Sequence, residues 1–546
     1  MADILIVKDE KNLIPKLGIT DTQRLAWMRD YAIYDINADG SKSGPYGPTS
    51  PALESVNVFA EVSATGLPTG SLITPDGQPV GGLASNWASD FVALGDSITL
   101  RNFDAYAGCS VTASGGVATL TLPSAVQVLP GGTIRVYSPG VERGIFGVFS
   151  VATRVSGTQI TYAYPGDDVA AGVSCSVALY QNQTDTGWLT WTKAALDQRT
   201  TVFNAGVGGE TSAQALRRLQ TDVISRRPKV CTVLLGTNDA LASSPEITAA
   251  ETIANLGAIY SGLRDAGVFV VAITPPPLTV ASAKLAAVAA YIKRECAMYS
   301  DRMACVDAYG LGVNTLSTTN VASSGELWDT VHPGPDYARR IGVQVAELLR
   351  GKLSPAIPAF VSASDAVAYD ATSGNVVGNG MMIDTDANGV ADGVTITSAT
   401  LASATPTVVA SPSGLGNVQK VACVANGLDD VLLVELASVH AALAVGSRYK
   451  LRGRIYIDSP VNVRVLSFGI NLIAGGVTYQ VRAITPFNAT TNTDTFTGGV
   501  PGYLFETDWF TVPASVTDAK PRMAVIWQGA GSADVSLGEV HTIRAS

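Results

Sequence analysis

Phe91-Val92-Ala93-Leu94-Gly95-Asp96-Ser97-Ile98-Thr99 (FVALGDSIT, 91–99) is a short apolar run stopped abruptly by Gly, Asp and Ser. An unbroken apolar run, without alternation, is the pattern of a strand buried on both faces. Comparable runs recur at KVCTVLLG (229–236), GVFVVAIT (267–274) and RMACVDAYG (302–310). Between and after them lie segments of helical period: SAQALRRLQTDVISR (212–226), AETIANLGAIYSGLRDAG (250–267), AKLAAVAAYIKRECAMYSD (283–301) and PDYARRIGVQVAELLRGKL (335–353). Continuous apolar strands alternating with helices predict a parallel sheet covered on both faces, an α/β domain over 88–353. Chemistry in such a sheet belongs at the carboxyl ends of its strands.

Working outward, one segment breaks the rhythm. Residues 101–184 contain VATLTLP, GTIRVYSP, GVFSVATRV, TQITYAYP and VSCSVALY between Gly, Pro and Asp turns. Alternating strands at that spacing predict a small sandwich or barrel, inserted directly after the first strand of the α/β domain. Helical period resumes at GWLTWTKAALDQR (187–199). After PAIPA (355–359), residues 360–546 show strand patterns such as LLVELASV, RYKLRGRIYI and VNVRVLSFGI, and the expectation is a C-terminal β-sandwich. Residues 1–87 form a lead-in: a helix is predicted within Leu17–Ile36, followed by turn-rich linker that is a candidate anchoring segment.

Lys and Arg number 36 against 46 Asp and Glu, a net charge of −10, and only 15% of residues are charged. An acidic chain without a long basic run is a poor match to nucleic acid or an anionic membrane. The amino terminus lacks the basic and apolar segments of a secretory signal, and no uninterrupted apolar stretch is long enough to span a bilayer. Six scattered cysteines read as buried thiols, with Cys109 and Cys175 the one pair placed to meet. Three distant histidines, His332, His440 and His541, argue against a multi-histidine metal site.

Four blocks carry the chemistry. Gly95-Asp96-Ser97 places a serine at a strand tip, where it can act as a nucleophile. Asn204-Ala205-Gly206-Val207-Gly208-Gly209-Glu210-Thr211 leaves backbone N–H groups free at a helix start and lacks the Lys-Ser/Thr ending of a phosphate loop. Gly236-Thr237-Asn238-Asp239 offers an amide donor of the kind an oxyanion hole needs. In Asp329-Thr330-Val331-His332, the carboxylate can fix the imidazole tautomer and leave the other nitrogen for the serine hydroxyl.

In this order at strand ends, the four blocks resemble the SGNH (GDSL-type) hydrolase family, with its GDS, Gly, GxND and DxxH signatures. The resemblance covers 88–353 without the insertion. It implies a flavodoxin-like three-layer α/β fold and a serine esterase without a catalytic cofactor. It assigns Ser97 as nucleophile, His332 as base and Asp329 as its orienting partner. The oxyanion hole would be the N–H groups of Ser97 and Gly209 and the side chain of Asn238, with Gly206 the alternative middle donor.

The β modules resemble carbohydrate-binding modules, so the expected reaction is removal of O-acetyl groups from a polysaccharide. The Gly/Thr/Ala-rich segments also look similar to phage fibre modules. That implies action outside the cell as a virion (phage tail) component, with a homotrimer or attachment through the N-terminal region. The rival readings are a lipase or thioesterase of the same family and a catalytically silent glycan-binding adhesin. Separately, Asp384, Asp386, Asn388 and Asp392 place oxygen ligands at the spacing of the first half of a calcium loop, a candidate structural calcium site. Thr395 stands where a full EF-hand has Glu.

Overall fold

The computed structural model describes residues 91–545 except 102, 139–144, 165, 199, 243–244, 317–319, 351, 354–374 and 487–494, and within 1–90 five short strands. The chain divides into two compact units. The smaller comprises 1–90 with 218–229. Its five strands run in the order Lys42–Ser43, Ala32–Ile36, Ile4–Ile6, Phe59–Val62, Pro68–Ile73, parallel about the central one. The helix expected over Leu17–Ile36 falls mostly outside the described residues, and its last five, Ala32–Ile36, are a strand.

In the larger unit, five parallel strands form the α/β sheet: β1 (Phe91–Gly95), β2 (Val202–Gly206), β3 (Val230–Leu234), β4 (Phe269–Ile273) and β5 (Met303–Val306). Their order is 2-1-3-4-5. The order reverses beside β1, and open α/β sheets bind ligands at that switch point. The burial of β1 and β3 is complete along their length, as the unbroken apolar runs require. The main helices are α1 (Ser97–Leu100), α2 (Trp188–Ala195), α3 (Ala249–Asp265), α4 (Ala283–Met298) and α5 (Pro335–Arg350). Thr248 starts α3 with a capping box: its hydroxyl accepts the Glu251 N–H while the Glu251 carboxylate accepts the Thr248 N–H. The segment expected as one helix over 212–226 is a six-residue helix, Ser212–Arg217, followed by two short turns of helix.

Between α1 and α2 lie the inserted strands Phe103–Ser114, Val117–Thr121, Thr133–Tyr137, Gly147–Arg154, Gln159–Ala163 and Val169–Thr184. Every neighbouring pair is antiparallel, and the last strand pairs with both the first and the third. The ring therefore closes as a six-stranded barrel. It has its own core, including Val111, Leu120, Ile134, Ile160 and Tyr162. Cys109 and Cys175 face each other in register there as free thiols.

The C-terminal β-rich region is antiparallel and built on two very long strands, Arg448–Ala474 and Val516–Arg544. Register shifts between Asp458 and Val465 divide their mutual pairing into two halves. The first half of one pairs with Val500–Glu506, its second half with Val477–Thr485. Its core is continuous with that of the α/β domain: Trp188, Trp191, Tyr337 and Ile341 share one apolar cluster with Phe496, Phe505 and Leu466. Trp191 meets Phe496 and Phe505 edge-on at 5.7 Å. Beside them Glu506 is buried. Burial alone would raise its pKa, but Lys450 and Arg452 bring it down to about 2. The C-terminal region therefore shares its core with the α/β domain and covers the apolar faces of α2 and α5.

Candidate active site

The turn that presents Ser97 is set by Gly95. A Cβ there would stand 2.1 Å from Thr99 Oγ1 and 2.9 Å from the Leu234 carbonyl, so no larger residue lets β1 pass into α1. Asp96 caps α1 by accepting the Ile98 N–H at 2.9 Å. Ser97 is the first helical residue, a position whose N–H has no partner inside the helix. Its Oγ lies 2.8 Å from His332 Nε2, and His332 Nδ1 lies 2.7 Å from Asp329 Oδ2. Residues 235 positions apart in sequence are thus brought into one hydrogen-bonded line.

The histidine loop is a tight hairpin. Leu327 pairs with Pro333, the Trp328 N–H donates to the His332 carbonyl at 3.0 Å, and Gly334 N–H donates to Glu326 at 2.8 Å. Glu326 pairs with Arg340 of α5. Asp329 Oδ1 accepts the N–H groups of both Val331 and His332 at 2.7 Å, which aims Oδ2 at the imidazole. Burial opposes ionisation of Asp329, but the bonds from the His332 ring and backbone outweigh it and hold the carboxyl at about 2. Burial pushes the His332 pKa below its ordinary value, with Asp329 raising it and Arg101 lowering it. A neutral imidazole with Nδ1–H on Asp329 leaves Nε2 as the acceptor for the serine proton.

The structure separates the two candidate middle oxyanion donors. The Gly206 N–H is committed to Asn204 Oδ1 at 2.8 Å, so the alternative donor is already used. Gly209 sits at φ +79°, in the left-handed region that glycine tolerates. Asn238 donates one amide hydrogen to the Glu210 carbonyl at 2.8 Å, which orients the side chain and leaves its second N–H. Asn204 ties the pieces together: its Nδ2 donates to Thr99 of α1 at 2.8 Å while its Oδ1 holds Gly206. Asp96 is fully buried, and burial raises its carboxyl to about 7, helped by Asp239 and Glu210.

Several residues at the site were not legible in the sequence. Trp328 stacks on His332 with ring centroids 5.7 Å apart and planes 21° apart, and the Arg101 guanidinium lies 4.6 Å from the Trp328 ring. From the barrel, Arg135 Nη1 donates to the Asn204 carbonyl at 2.6 Å. Tyr137 joins Leu100, Phe103, Ala178 and Val207 in a small apolar cluster beside α1. The one available signal was position: Trp328 precedes Asp329, and Arg101 closes α1. His541, by contrast, is buried in the C-terminal region, where burial lowers it to about 4 and its Nδ1 meets the Glu539 carbonyl at 2.9 Å.

Of the four candidate calcium ligands, Asp384, Asp386 and Asp392 each bring one carboxylate oxygen within 4.8 Å of the others. Asn388 does not join them with its oxygen: Oδ1 accepts the Val390 N–H at 2.7 Å, and Nδ2 donates to Asp386 at 2.8 Å.

Comparison with known proteins follows the same lines. The GDSL-like Lipase/Acylhydrolase family pattern matches residues 166–340, which contain Gly209, Asn238, Asp329 and His332. Ser97 lies outside the match, on the far side of the barrel. A 53-residue stretch is 42% identical to the uncharacterized lipoprotein YqeF of Bacillus subtilis (strain 168). That stretch is 10% of this chain and 22% of YqeF, so the chain spans about a fifth of that relative's length. Similar solved structures include a lipase/acylhydrolase from Enterococcus faecalis, at 22% identity over 29% of this chain and 79% of that one, TM-score 0.25. A GDSL-like lipase from Bacteroides thetaiotaomicron is 19% identical over 31% and 85%, TM-score 0.27. A variant of the acetyl-xylooligosaccharide esterase Axe2 from Geobacillus stearothermophilus is 14% identical over 50% and 98%, TM-score 0.29.

Proposed function

The α/β domain of this chain belongs to the GDSL/SGNH lipase/acylhydrolase family, and on that premise we propose that the protein is a serine esterase that removes short acyl groups from a polysaccharide. The observation that carries the esterase reading is the unbroken line Ser97 Oγ–His332 Nε2 and His332 Nδ1–Asp329 Oδ2 at 2.8 and 2.7 Å. In the reaction, Ser97 Oγ attacks the ester carbonyl as His332 takes its proton, and Asp329 stabilises the imidazolium. The oxyanion is met by the N–H groups of Ser97 and Gly209 and the Asn238 amide. His332 then protonates the leaving alkoxide, and a water activated by the same imidazole releases the acid from the acyl-enzyme.

The short-acyl, polysaccharide choice draws support from the barrel that packs beside the nucleophile helix and from the C-terminal region, which we read as a β-sandwich of carbohydrate-binding type. A polymer substrate uses such extended surface, whereas no amphipathic lid for a lipid is evident in the sequence. Action outside the cell, as part of a phage tail anchored through residues 1–87, belongs to the same proposal. So does a structural calcium at Asp384, Asp386 and Asp392, with Asn388 a fourth ligand only if its amide turns. Calcium should then raise the melting temperature, and Asp386→Ala should abolish the rise.

Acetate release from acetylated polysaccharides, together with a p-nitrophenyl ester chain-length series, tests the reaction in wild type and Ser97→Ala. Short-chain turnover lost in the variant supports it. Absence of turnover in the wild type sinks the enzyme reading, and preference for long chains favours the lipase alternative.

A further inference from the structure

We propose that Arg101 is a positioning residue for the base: acting through the indole of Trp328, it holds the His332 imidazole in place and biases it toward the neutral, proton-accepting form. The inference rests on His332 being the base and adds a control on it that lies outside the four sequence blocks.

The argument starts from a column of three flat groups. The guanidinium of Arg101 lies over Trp328 at 4.6 Å, and the Trp328 ring lies nearly parallel to the imidazole, 21° apart. Such a cation–aromatic contact gains strength when it is withdrawn from water. The column is fixed at both ends. At one end, the Arg101 N–H closes α1 on the Ser97 carbonyl at 2.9 Å, and the Arg101 carbonyl accepts the hydroxyl of Thr184, the last residue of the barrel. At the other, the Trp328 N–H donates to the His332 carbonyl, so both rings leave the same hairpin on the same side. Movement of Trp328 would therefore turn the imidazole away from Ser97 Oγ.

The electrostatics run in the same direction. The charged and titratable groups facing His332 are Asp329 on its own loop and Arg101 from α1; Arg101 itself faces Asp329 and Tyr137 of the barrel. Asp329 favours the imidazolium, as the triad requires during attack. Burial is the main cause that keeps the imidazole neutral; Asp329 works against it and favours a protonated base that cannot accept the serine proton. A guanidinium remains charged throughout this range, so Arg101 opposes that outcome at every working pH. Because the barrel strand Val169–Thr184 ends on the Arg101 carbonyl, the insertion is also what keeps the cation in place.

The test is the pH profile of kcat/KM for p-nitrophenyl acetate in wild type, Arg101→Met, Arg101→Lys and Trp328→Leu, with His332 titrated directly by NMR in a Ser97→Ala background. Arg101→Met keeps the long apolar stem against Trp328 and removes the charge. Its acid limb and its imidazole pKa should both rise by about half to one unit, and Arg101→Lys should restore most of the shift. Trp328→Leu should lower kcat by about tenfold with little change in KM, the signature of a misplaced catalytic group. Coincident acid limbs and coincident imidazole titrations in wild type and Arg101→Met would overturn the proposal. If Arg101→Met does not fold, Arg101→Gln carries the same comparison. An inactive wild type would instead overturn the esterase reading, while the NMR titration would still decide whether Arg101 governs the imidazole.

Discussion

The two β regions attached to the hydrolase sheet are joined to it in opposite ways. The inserted barrel has a closed core of its own and meets the α/β domain through a small cluster, Leu100, Phe103, Tyr137, Ala178 and Val207, and through the Arg135–Asn204 and Thr184–Arg101 hydrogen bonds. Among the described residues, the main core of the C-terminal region is shared with the α/β domain: its Phe496 and Phe505 pack on Trp191, and beside them Glu506 is buried, paired with the half-buried Lys450 and Arg452. The barrel touches the helix that carries Ser97 and reaches the sheet through Asn204 of β2. The C-terminal region covers α2 and α5 and is part of the fold. Parallel pairing of Asn182 with Arg482 and of Thr184 with Thr485 links the two, as do the side chains of Gln181 and Gln183, which donate to the Gln480 and Glu506 carbonyls.

The largest effect expected from this contrast is on truncation. Removing residues 360–546 exposes the apolar faces of α2 and α5, and the remaining chain should lose its cooperative unfolding transition by circular dichroism and calorimetry. A shortened chain that melts sharply and keeps its esterase activity would break the comparison. Next, Trp191→Ala should cost about 3–5 kcal/mol in denaturant unfolding, with kcat intact while the protein remains folded. Arg135→Met strikes the barrel junction instead. It leaves the buried Asn204 carbonyl without its donor, for about 1–3 kcal/mol, and loosens the residue that ties Thr99 to Gly206, so kcat should fall by roughly tenfold.

The smallest effect is a pH response. Glu506 is depressed from 4.5 to about 2 in the folded state. Its contribution is therefore present above the unfolded value and is lost as pH falls through that window. Near pH 3.5 the loss is on the order of 1 kcal/mol. Hydrogen exchange should then rise around Val500–Glu506 before it rises in the barrel strand Val117–Thr121, which pairs on both sides with other barrel strands.

Much of this was legible in the sequence because it is local. The unbroken apolar runs at 91–95 and 230–234 became strands buried along their whole length, and alternation placed the insertion within two residues of its first strand. Both ends of the Ser97–His332–Asp329 hydrogen-bonded line were legible for the same reason: Gly95, Asp96 and Ser97 are contiguous, as are Asp329 to His332. What remained hidden depends on distant pairing. Closure of the barrel needs Val177 opposite Val136, and no window of sequence contains both. RYKLRGRIYI and VNVRVLSFGI read as two strands across Asp458-Ser459-Pro460, yet they are one bent strand whose register shifts there. The Pro-rich stretch at 355–359 suggested a boundary where the core is continuous. Arg101 and Trp328 carry no periodic signal, and only their meeting beside His332 gives them a role.

The central claim is that Ser97 is a nucleophile activated by His332. Its most direct test is labelling of the intact protein with a fluorophosphonate, followed by peptide mass spectrometry of wild type, His332→Ala and Asp329→Asn. The account predicts stoichiometric modification of the peptide bearing Ser97 in wild type, slower labelling in Asp329→Asn and almost none in His332→Ala. Label found on another residue, or Ser97 modified equally fast without His332, would contradict it.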